Sequence, residues 1–124
     1  MAHILIAEDE EDVRSFFKDL LMDIGFEVST AENGEQALLM LEKLAVDLLM
    51  VDLVMPKMDG VMLIKKVREI NSDIPILVVS GTEEKAKIAS ALKEGAQLAL
   101  PKPVRFDVVE EKIMTLLERA LLSG

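Results

Sequence analysis

Asp52 is a charged residue at the end of an apolar run, and its position raises a question of chemistry. The four residues before it read LLMV, and Leu53, Val54 and Met55 follow it before the turn residues of PKMDG. Burying an isolated carboxylate costs more free energy than a domain can supply, so Asp52 must be solvated, paired with a cation or bound to a ligand. The partner of Asp52 therefore decides what the protein does.

Three other chemically capable groups also follow apolar segments. They are the acidic pair Glu8 and Asp9, the hydroxyl of Ser80 and the ammonium of Lys102. Carboxylate oxygens without His or Cys suit a hard cation, and Mg²⁺ in particular is held by few carboxylates together with waters. A cation, a hydroxyl and an ammonium around one carboxylate would stabilise a phosphoryl group. Asp52 would then be the nucleophile that becomes an acyl phosphate.

Alternating strand and helix patterns along the chain predict how these groups are positioned. The strand candidates are residues 3–7, 26–30, 47–52, 75–80 and 97–100. The first, third and fourth are nearly continuous apolar runs, which is typical of strands covered on both faces. The helical residues that we expect to face the core are Val13, Phe16, Phe17, Leu20, Leu21 and Ile24; Ala37, Leu38, Leu41 and Leu44; Leu63, Ile64, Val67 and Ile70; Ile88, Ala91 and Leu92; and Val109, Ile113, Leu116, Leu117 and Ala120.

Five strand–helix units with short connections predict an α/β fold. We expect a flavodoxin-like, doubly wound (βα)₅ three-layer sandwich with a parallel five-stranded sheet in the order 2-1-3-4-5. Ligands of such sheets bind beyond the carboxyl ends of the strands, where the first and third strands are neighbours. Glu8, Asp9 and Asp52 should therefore share one crevice. His3, the only histidine, lies at the opposite end of the first strand and is interpreted as structural.

The composition limits the kind of protein that this can be. We expect one domain, residues 1–124, with a real core, because 51% of its residues are hydrophobic. The absence of Cys excludes disulfides and thiolate metal sites. A net charge of −9 without Trp or Tyr argues against direct binding of nucleic acid. No apolar run approaches a membrane span and no signal peptide is evident, so we expect a cytoplasmic protein without a membrane contact.

Taken together, these motifs resemble the response-regulator receiver domain of two-component signalling, the family to which chemotaxis regulators belong. The resemblance covers essentially the whole chain. It rests on AEDE with Glu8 and Asp9, VDLVMPKMDG with Asp52, ILVVSG with Ser80 and LPKP with Lys102. Each motif alone is common, but their joint occurrence in this order is highly specific.

The resemblance implies a role for each of these residues. Asp52 would be the phosphoacceptor, with Ser80 and Lys102 reaching the phosphoryl oxygens. The peptide bond between Lys102 and Pro103 would be cis. The implied Mg²⁺ ligands are Asp9, Asp52 and the backbone carbonyl of Val54, with Glu8 acting through a metal-bound water.

Partners and an output also follow from the resemblance. The donor would be a sensor histidine kinase, a phosphotransfer protein or a small acyl phosphate, and the chain would be a regulatory phosphoacceptor rather than an enzyme. Phosphorylation would switch the surface of the fourth helix, fifth strand and fifth helix, which would contact a downstream effector, an output domain or a second copy in a homodimer. We expect no output domain within this chain.

Three positions depart from the usual pattern of the family or modify it. Family members usually carry an aromatic residue three positions before the lysine, whereas this chain has Ala99. Any output should then travel by a backbone shift or by another side chain. Val54 and Thr82, which flank the site, offer no carboxylate or amide to orient an attacking water. We therefore expect slow self-dephosphorylation, which Val54→Asn or Thr82→Glu should speed.

Other interpretations of the same residues predict different functions. Taken singly, Asp52 fits a turn cap, Ser80 a helix-capping hydroxyl and Lys102 a surface lysine. A phosphatase of the haloacid dehalogenase type would need a second Asp two residues after the nucleophile, where this chain has Val54. A flavin-binding electron carrier would need Ser, Thr and Gly rather than acids after the first strand. A receiver-like domain that only binds a partner is opposed by the complete acidic set.

Overall fold

Strands and helices alternate along the chain. The computed structural model describes residues 1–81 and 83–123. The strands are β1 His3–Ala7, β2 Glu27–Ala31, β3 Leu48–Val51, β4 Ile76–Gly81 and β5 Leu98–Lys102, and the helices are α1 Glu11–Asp23, α2 Gly34–Lys43, α3 Gly60–Ile70, α4 Lys85–Glu94 and α5 Phe106–Ser123. The strands form one parallel sheet in the order β2-β1-β3-β4-β5, which confirms the predicted fold and sheet order.

Side chains of the three central strands alternate between two apolar layers, one on each face of the sheet. Leu49 and Val51 of β3 pack in the layer that α2, α3 and α4 cover. Leu48 and Met50 point the other way, into the layer that α1 and α5 cover. Every residue of β1 and β3 is buried, as the continuous apolar runs predicted. The three-layer sandwich is thereby confirmed.

Several predicted strand bounds differ from the structure by one or two residues, and two of these differences concern the site. Asp52 was placed at the end of the third strand, but β3 stops at Val51. The fifth strand was predicted to end at residue 100, whereas β5 continues through Pro101 and Lys102, which pair with Ser80 and Gly81 of β4. A proline is tolerated there because β5 is an edge strand, so its missing N–H leaves no neighbour without a hydrogen bond.

Some helical residues that were predicted to face the core lie at the surface instead. A helix that packs on a sheet buries one stripe of its circumference, so apolar residues at the margins of the stripe stay exposed. For five residues the prediction was wrong: Phe16, Ile70 and Leu92 lie at such margins, and Ile24 and Leu44 are the C-caps that follow α1 and α2.

Two glycines end helices where the backbone needs a positive φ. Gly25 follows α1 with φ +106° and Gly95 follows α4 with φ +123°, a region that residues with a Cβ atom rarely adopt. Glycine at these positions lets each helix end without steric strain. Among the residues described by the structure, no helix combines the length and apolarity that crossing a membrane requires.

Candidate functional site

Strand pairing brings the candidate residues to one edge of the sheet. Ala7 of β1 pairs with Val51 of β3, and the backbone N–H of Asp52 donates to the carbonyl of Ala7 at 3.0 Å. Asp52 therefore lies beside Glu8, just beyond the pleated part of the sheet. Because all five strands are parallel, their carboxyl ends open at the same edge, as predicted.

The ammonium of Lys102 is the partner that the buried carboxylate of Asp52 requires. Its Nζ donates to Oδ2 of Asp52 at 2.7 Å and to Oε1 of Glu8 at 2.9 Å. The side chains of Asp52 and Glu8 are 9% and 5% exposed, and that of Lys102 is 25% exposed. One cation thus balances two buried carboxylates from two neighbouring strands. The separate interpretation of Lys102 as a surface lysine is excluded.

The second carboxylate oxygen of Asp52 is also occupied. Oδ1 accepts hydrogen bonds from the Ser80 hydroxyl at 3.2 Å and from the backbone N–H of Val54 at 3.0 Å. The bond to Val54 is an Asx turn, so the interpretation of Asp52 as a turn cap is correct as far as it goes. Ser80 is fully buried in β4 and is not a helix cap. Capping explains one oxygen of Asp52 and leaves the pairing with Lys102 unexplained.

Three carboxylates converge closely enough to hold a metal ion. Glu8, Asp9 and Asp52 each offer an oxygen, and these atoms lie within 4.8 Å of one another. The set contains only oxygen donors, and Asp9 is exposed, so solvent ligands can reach it. These features fit Mg²⁺, which binds few carboxylates and keeps several waters. That the carbonyl of Val54 completes the ligand set stays a prediction.

Burial and pairing change the proton affinities of the two groups that meet beside Asp52. Burial raises the pKa of Glu8 to about 7, and hydrogen bonds from Lys102 and the Glu10 amide only partly oppose that effect. Burial alone would lower the pKa of Lys102, but hydrogen bonds to Asp52 and Glu8 outweigh it, so the net pKa is raised. The Lys102 ammonium is firmly charged, whereas ionised Glu8 is held at a cost that a further cation would reduce.

A cavity of about 810 Å³ opens in front of Asp52. Its walls include Phe16 of α1, Val54, Glu83 and Pro103, together with Ser80 and Lys102. The exposed ring of Phe16 therefore borders this cavity rather than the core, which gives a local reason for the failed core prediction. The cavity makes the Asp52 carboxylate accessible to a group entering from solvent.

Arg14 is a residue at this edge that the sequence did not bring to attention. Its Nη1 donates to the backbone carbonyl of Glu8 at 2.8 Å and, more weakly, to that of Asp9 at 3.4 Å. Its contact could have been predicted from its distance along the sequence from Glu8 and Asp9. A long cationic side chain in the first turns of a helix can extend back to the acidic loop that precedes that helix.

The other predictions about the site have mixed outcomes. His3 is buried at the far end of β1, where its ring contacts the Ala45 carbonyl at 3.1 Å and the Ser29 hydroxyl at 2.7 Å, so its structural role is confirmed. The peptide bond between Lys102 and Pro103 is cis, as expected. Thr82, whose effect on dephosphorylation was predicted, lies outside the described residues.

A comparison with models of protein families identifies the family of this chain. Residues 4–114 match the model of the response regulator receiver domain. The chain belongs to that family. Receiver domains of two-component systems are regulatory phosphoacceptors rather than enzymes, and the residues gathered around Asp52 are to be understood in that context.

Individual relatives and solved structures support the same family. The chemotaxis protein CheY of Bacillus subtilis is 36% identical over 115 residues, which are 91% of this chain and 96% of CheY. A probable transcriptional regulator, ycf27 of Cyanidium caldarium, is 35% identical over 117 residues, which are 94% of this chain. The chain spans only 47% of the length of that ycf27 relative.

Solved structures of receiver domains superpose on all or nearly all of the chain. A CheY-like receiver domain protein from Methanospirillum hungatei has a TM-score of 0.96 and 26% identity, and the match covers 100% of this chain and 99% of that one. The response regulator TrrA of Thermotoga maritima, solved in complex with Mg²⁺-BeF, has a TM-score of 0.85 and 30% identity, with 94% and 99% covered.

Proposed function

We propose that this receiver domain takes a phosphoryl group onto Asp52 in a reaction that requires Mg²⁺. The observation that carries the proposal is the surroundings of this one carboxylate. Oδ2 is paired with Lys102, Oδ1 with Ser80, and oxygens of Glu8 and Asp9 lie within 4.8 Å of the same group. A nucleophile, a hydroxyl, an ammonium and an acidic cation site therefore meet in one accessible place.

Each side chain has a distinct part in the proposed reaction. A carboxylate oxygen of Asp52 attacks the phosphorus, and the bond to the donor breaks with its electron pair staying on the leaving group. Lys102 and Ser80, already at hydrogen-bond distance from Asp52, would turn to the new phosphoryl oxygens. Glu8, Asp9 and Asp52 would hold Mg²⁺, which when bound neutralises negative charge at the phosphoryl group. Because phosphoryl transfer depends on positioning and charge, no further catalytic group is needed.

The donor and the place of the reaction follow from the chemistry. Val54 stands where an acid for the leaving group would be needed, so the chain requires a donor that is already reactive. A sensor histidine kinase, a phosphotransfer protein or a small acyl phosphate meets that requirement. The absence of Cys suits a reducing compartment, and we propose a cytoplasmic location for this domain. We also propose that residues 1–124 act as a single domain without direct contact to nucleic acid.

The proposed output runs from Ser80 to the surface of α4, β5 and α5. Ser80 precedes Gly81 at the end of β4, so a shift of the hydroxyl toward a phosphoryl group pulls on the connection to α4. Ala99 of β5 and Ile88 of α4 pack against the same apolar layer. Without an aromatic ring on β5, the shift would reach the effector, or a second copy in a homodimer, through the backbone and through Ile88.

The experiment that tests this function measures intact mass after incubation with acetyl phosphate. With Mg²⁺ present we expect the mass to increase by one phosphoryl group, and with EDTA in place of Mg²⁺ we expect no increase. Proteolysis after trapping of the acyl phosphate should locate the group on the peptide that contains Asp52. An equal mass increase in EDTA, or a modification elsewhere, would contradict the proposal.

We also expect the phosphorylated domain to lose its phosphoryl group slowly and Val54→Asn to shorten its lifetime. The Val54 side chain is exposed at the cavity, where an apolar group cannot orient a water for attack. An amide should speed hydrolysis by about one order of magnitude, less than a positioned general base achieves, because it orients water without taking its proton. The measurement is the decay of the phosphorylated mass after the donor is removed.

Val54→Ala is the control for this prediction, since it opens the cavity without adding a polar group. Equal decay rates for Val54→Ala and Val54→Asn would mean that shielding, rather than water orientation, sets the lifetime. An unchanged lifetime in Val54→Asn would refute the prediction.

A further inference from the structure

Asp9 differs from the other carboxylates of the site in how it is held. Glu8 is fixed by Lys102 and by the backbone N–H of Glu10, which donates to Oε2 at 3.1 Å. Asp52 is fixed by Lys102, Ser80 and Val54. The Asp9 carboxylate is exposed and, over residues 1–81 and 83–123, forms no hydrogen bond or ion pair. Its position therefore depends on the backbone of the connection between β1 and α1.

Arg14 is the side chain that contacts this backbone. Its Nη1 bridges two successive carbonyls, at 2.8 Å from that of Glu8 and 3.4 Å from that of Asp9. The arginine side chain is only 14% exposed, and its Nη2 lies 4.0 Å from Oε1 of Glu32, beyond the end of β2. The guanidinium is thus clamped between the acidic connection and the neighbouring strand end, where its planar fork has little freedom.

We propose that Arg14 is a positioning residue for the divalent cation, and this inference rests on the proposed function. By holding the carbonyls of Glu8 and Asp9, Arg14 keeps the Asp9 carboxylate within reach of the oxygens of Glu8 and Asp52 before the ion arrives. A preformed ligand set binds more tightly because less freedom is lost on binding. Outer contacts of this kind affect metal affinity strongly, commonly by about 10- to 100-fold.

The positive charge of Arg14 acts against metal binding, whereas its hydrogen bonds favour it. The direction in which the Mg²⁺ affinity changes when Arg14 is replaced therefore tests the inference. A guanidinium repels a divalent cation, so removing it would tighten metal binding if charge alone mattered. Removing the clamp would weaken binding, because Asp9 would then explore more positions. A weaker affinity in a variant without the positive charge therefore reports positioning rather than electrostatics.

The test compares Mg²⁺ affinity in Arg14→Met, Arg14→Lys and Arg105→Met, measured by calorimetry or by chemical-shift titration of protein without phosphate. Arg105 is the matched control, because its side chain is 80% exposed and pairs with Asp107 rather than with the acidic connection. For Arg14→Met we expect the Kd for Mg²⁺ to rise about tenfold. That is the low end of the loss of metal affinity that follows when a contact outside the ligand set is removed. Arg14→Lys should also bind more weakly than wild type, since one ammonium cannot contact the two carbonyls and Glu32 at once, as the two nitrogens of the guanidinium do. Arg105→Met should match wild type.

Two further readouts separate positioning from a general loss of structure. At saturating Mg²⁺ the phosphorylation rate of Arg14→Met should return to that of wild type, since Arg14 touches no reacting atom. In Mg²⁺-free protein, amide exchange should rise locally in residues 8–10 and not in the central strands. Unchanged or tighter Mg²⁺ binding in both Arg14 variants would overturn the inference, as would a rate that saturating Mg²⁺ does not restore. If wild type binds no Mg²⁺, the proposed function itself fails.

Discussion

Asp52→Asn is expected to remove phosphorylation by acetyl phosphate to below detection. The amide is not a nucleophile toward phosphorus, and it removes one of the three charges that gather at the metal site. The variant should still fold, because the amide oxygen can accept the hydrogen bonds that Oδ1 receives from Ser80 and Val54. Lys102 keeps its ion pair with Glu8 at 2.9 Å, so no buried charge is left alone.

Asp59→Asn is the matched control for this result. Asp59 lies in the same connection after β3 and caps α3 by accepting from the backbone N–H of Met62 at 3.0 Å. Asn is an equally good residue at that position, so the helix should be unaffected. The control should gain the phosphoryl mass at the wild-type rate. Labelling of Asp52→Asn at that rate would mean that another residue is the acceptor, and the assignment of Asp52 would be wrong.

Lys102→Met is expected to have the second large effect, on stability and on phosphorylation together. Removing the ammonium leaves the carboxylates of Asp52 and Glu8 buried side by side without a counter-charge. In EDTA we expect the free energy of unfolding to fall by about 3 kcal/mol, the low end for a broken buried pair, because Lys102 is 25% exposed. Mg²⁺ should restore much of that loss and bind more tightly than to wild type, since Lys102 no longer competes for the same oxygens. Phosphorylation should stay far below wild type even at saturating Mg²⁺.

Denaturant unfolding with EDTA and with Mg²⁺ measures these effects, and Lys85→Met removes the same charge from an exposed lysine as a control. The stability deficit of Lys102→Met in EDTA should also narrow as the pH falls toward 7, because the variant lacks the Lys102 hydrogen bond that lowers the pKa of Glu8, so its Glu8 takes up a proton at a higher pH than in wild type. Burial raises the pKa of Glu8 from 4.5 to about 7, so the folded state binds a proton that the unfolded state releases. An acid shifted in this direction stabilises the fold most at low pH, and the stabilisation is lost between 4.5 and 7. A deficit that is absent in EDTA, or that Mg²⁺ leaves unchanged, would contradict this account.

The central part of the site could be predicted because it depends on two properties of short segments: continuous apolar runs and the alternation of those runs with helical periods. The continuous apolar runs before Glu8, Asp52 and Ser80 identify strands that are covered on both faces. The alternation of such runs with helical periods implies a parallel sheet, and parallel strands present their carboxyl ends at one edge. Charged residues at the ends of these runs must then meet, whatever the details of packing.

Pairing partners within the site could not be predicted in the same way. The sequence placed Lys102 toward a phosphoryl group, but its contact with Glu8 depends on β5 extending two residues further beside β4. The bridging of two carbonyls by Arg14 depends on the angle at which α1 leaves the sheet. The first contact joins residues 94 positions apart, which no local period encodes. The second joins residues five and six positions apart, but a hydrophobic period does not show in which direction the arginine side chain extends.

The sequence also could not predict which apolar residues at the margins of the helices are exposed. Phe16 and Phe17 are adjacent and equally apolar, yet Phe17 is buried and Phe16 borders the cavity in front of Asp52. A helical period defines a stripe, but its width depends on how close the neighbouring connections lie.

The amino-acid sequence by itself determined the five-unit parallel fold, the edge where Glu8, Asp9, Asp52, Ser80 and Lys102 meet, and the phosphoryl chemistry that such a set allows. These follow from periodicity and residue type, which are properties of short segments. Only the tertiary structure decided that Lys102 spans two carboxylates and that Arg14 holds the acidic connection. Such contacts exist only after strands and helices have packed, because their geometry depends on register and helix angle.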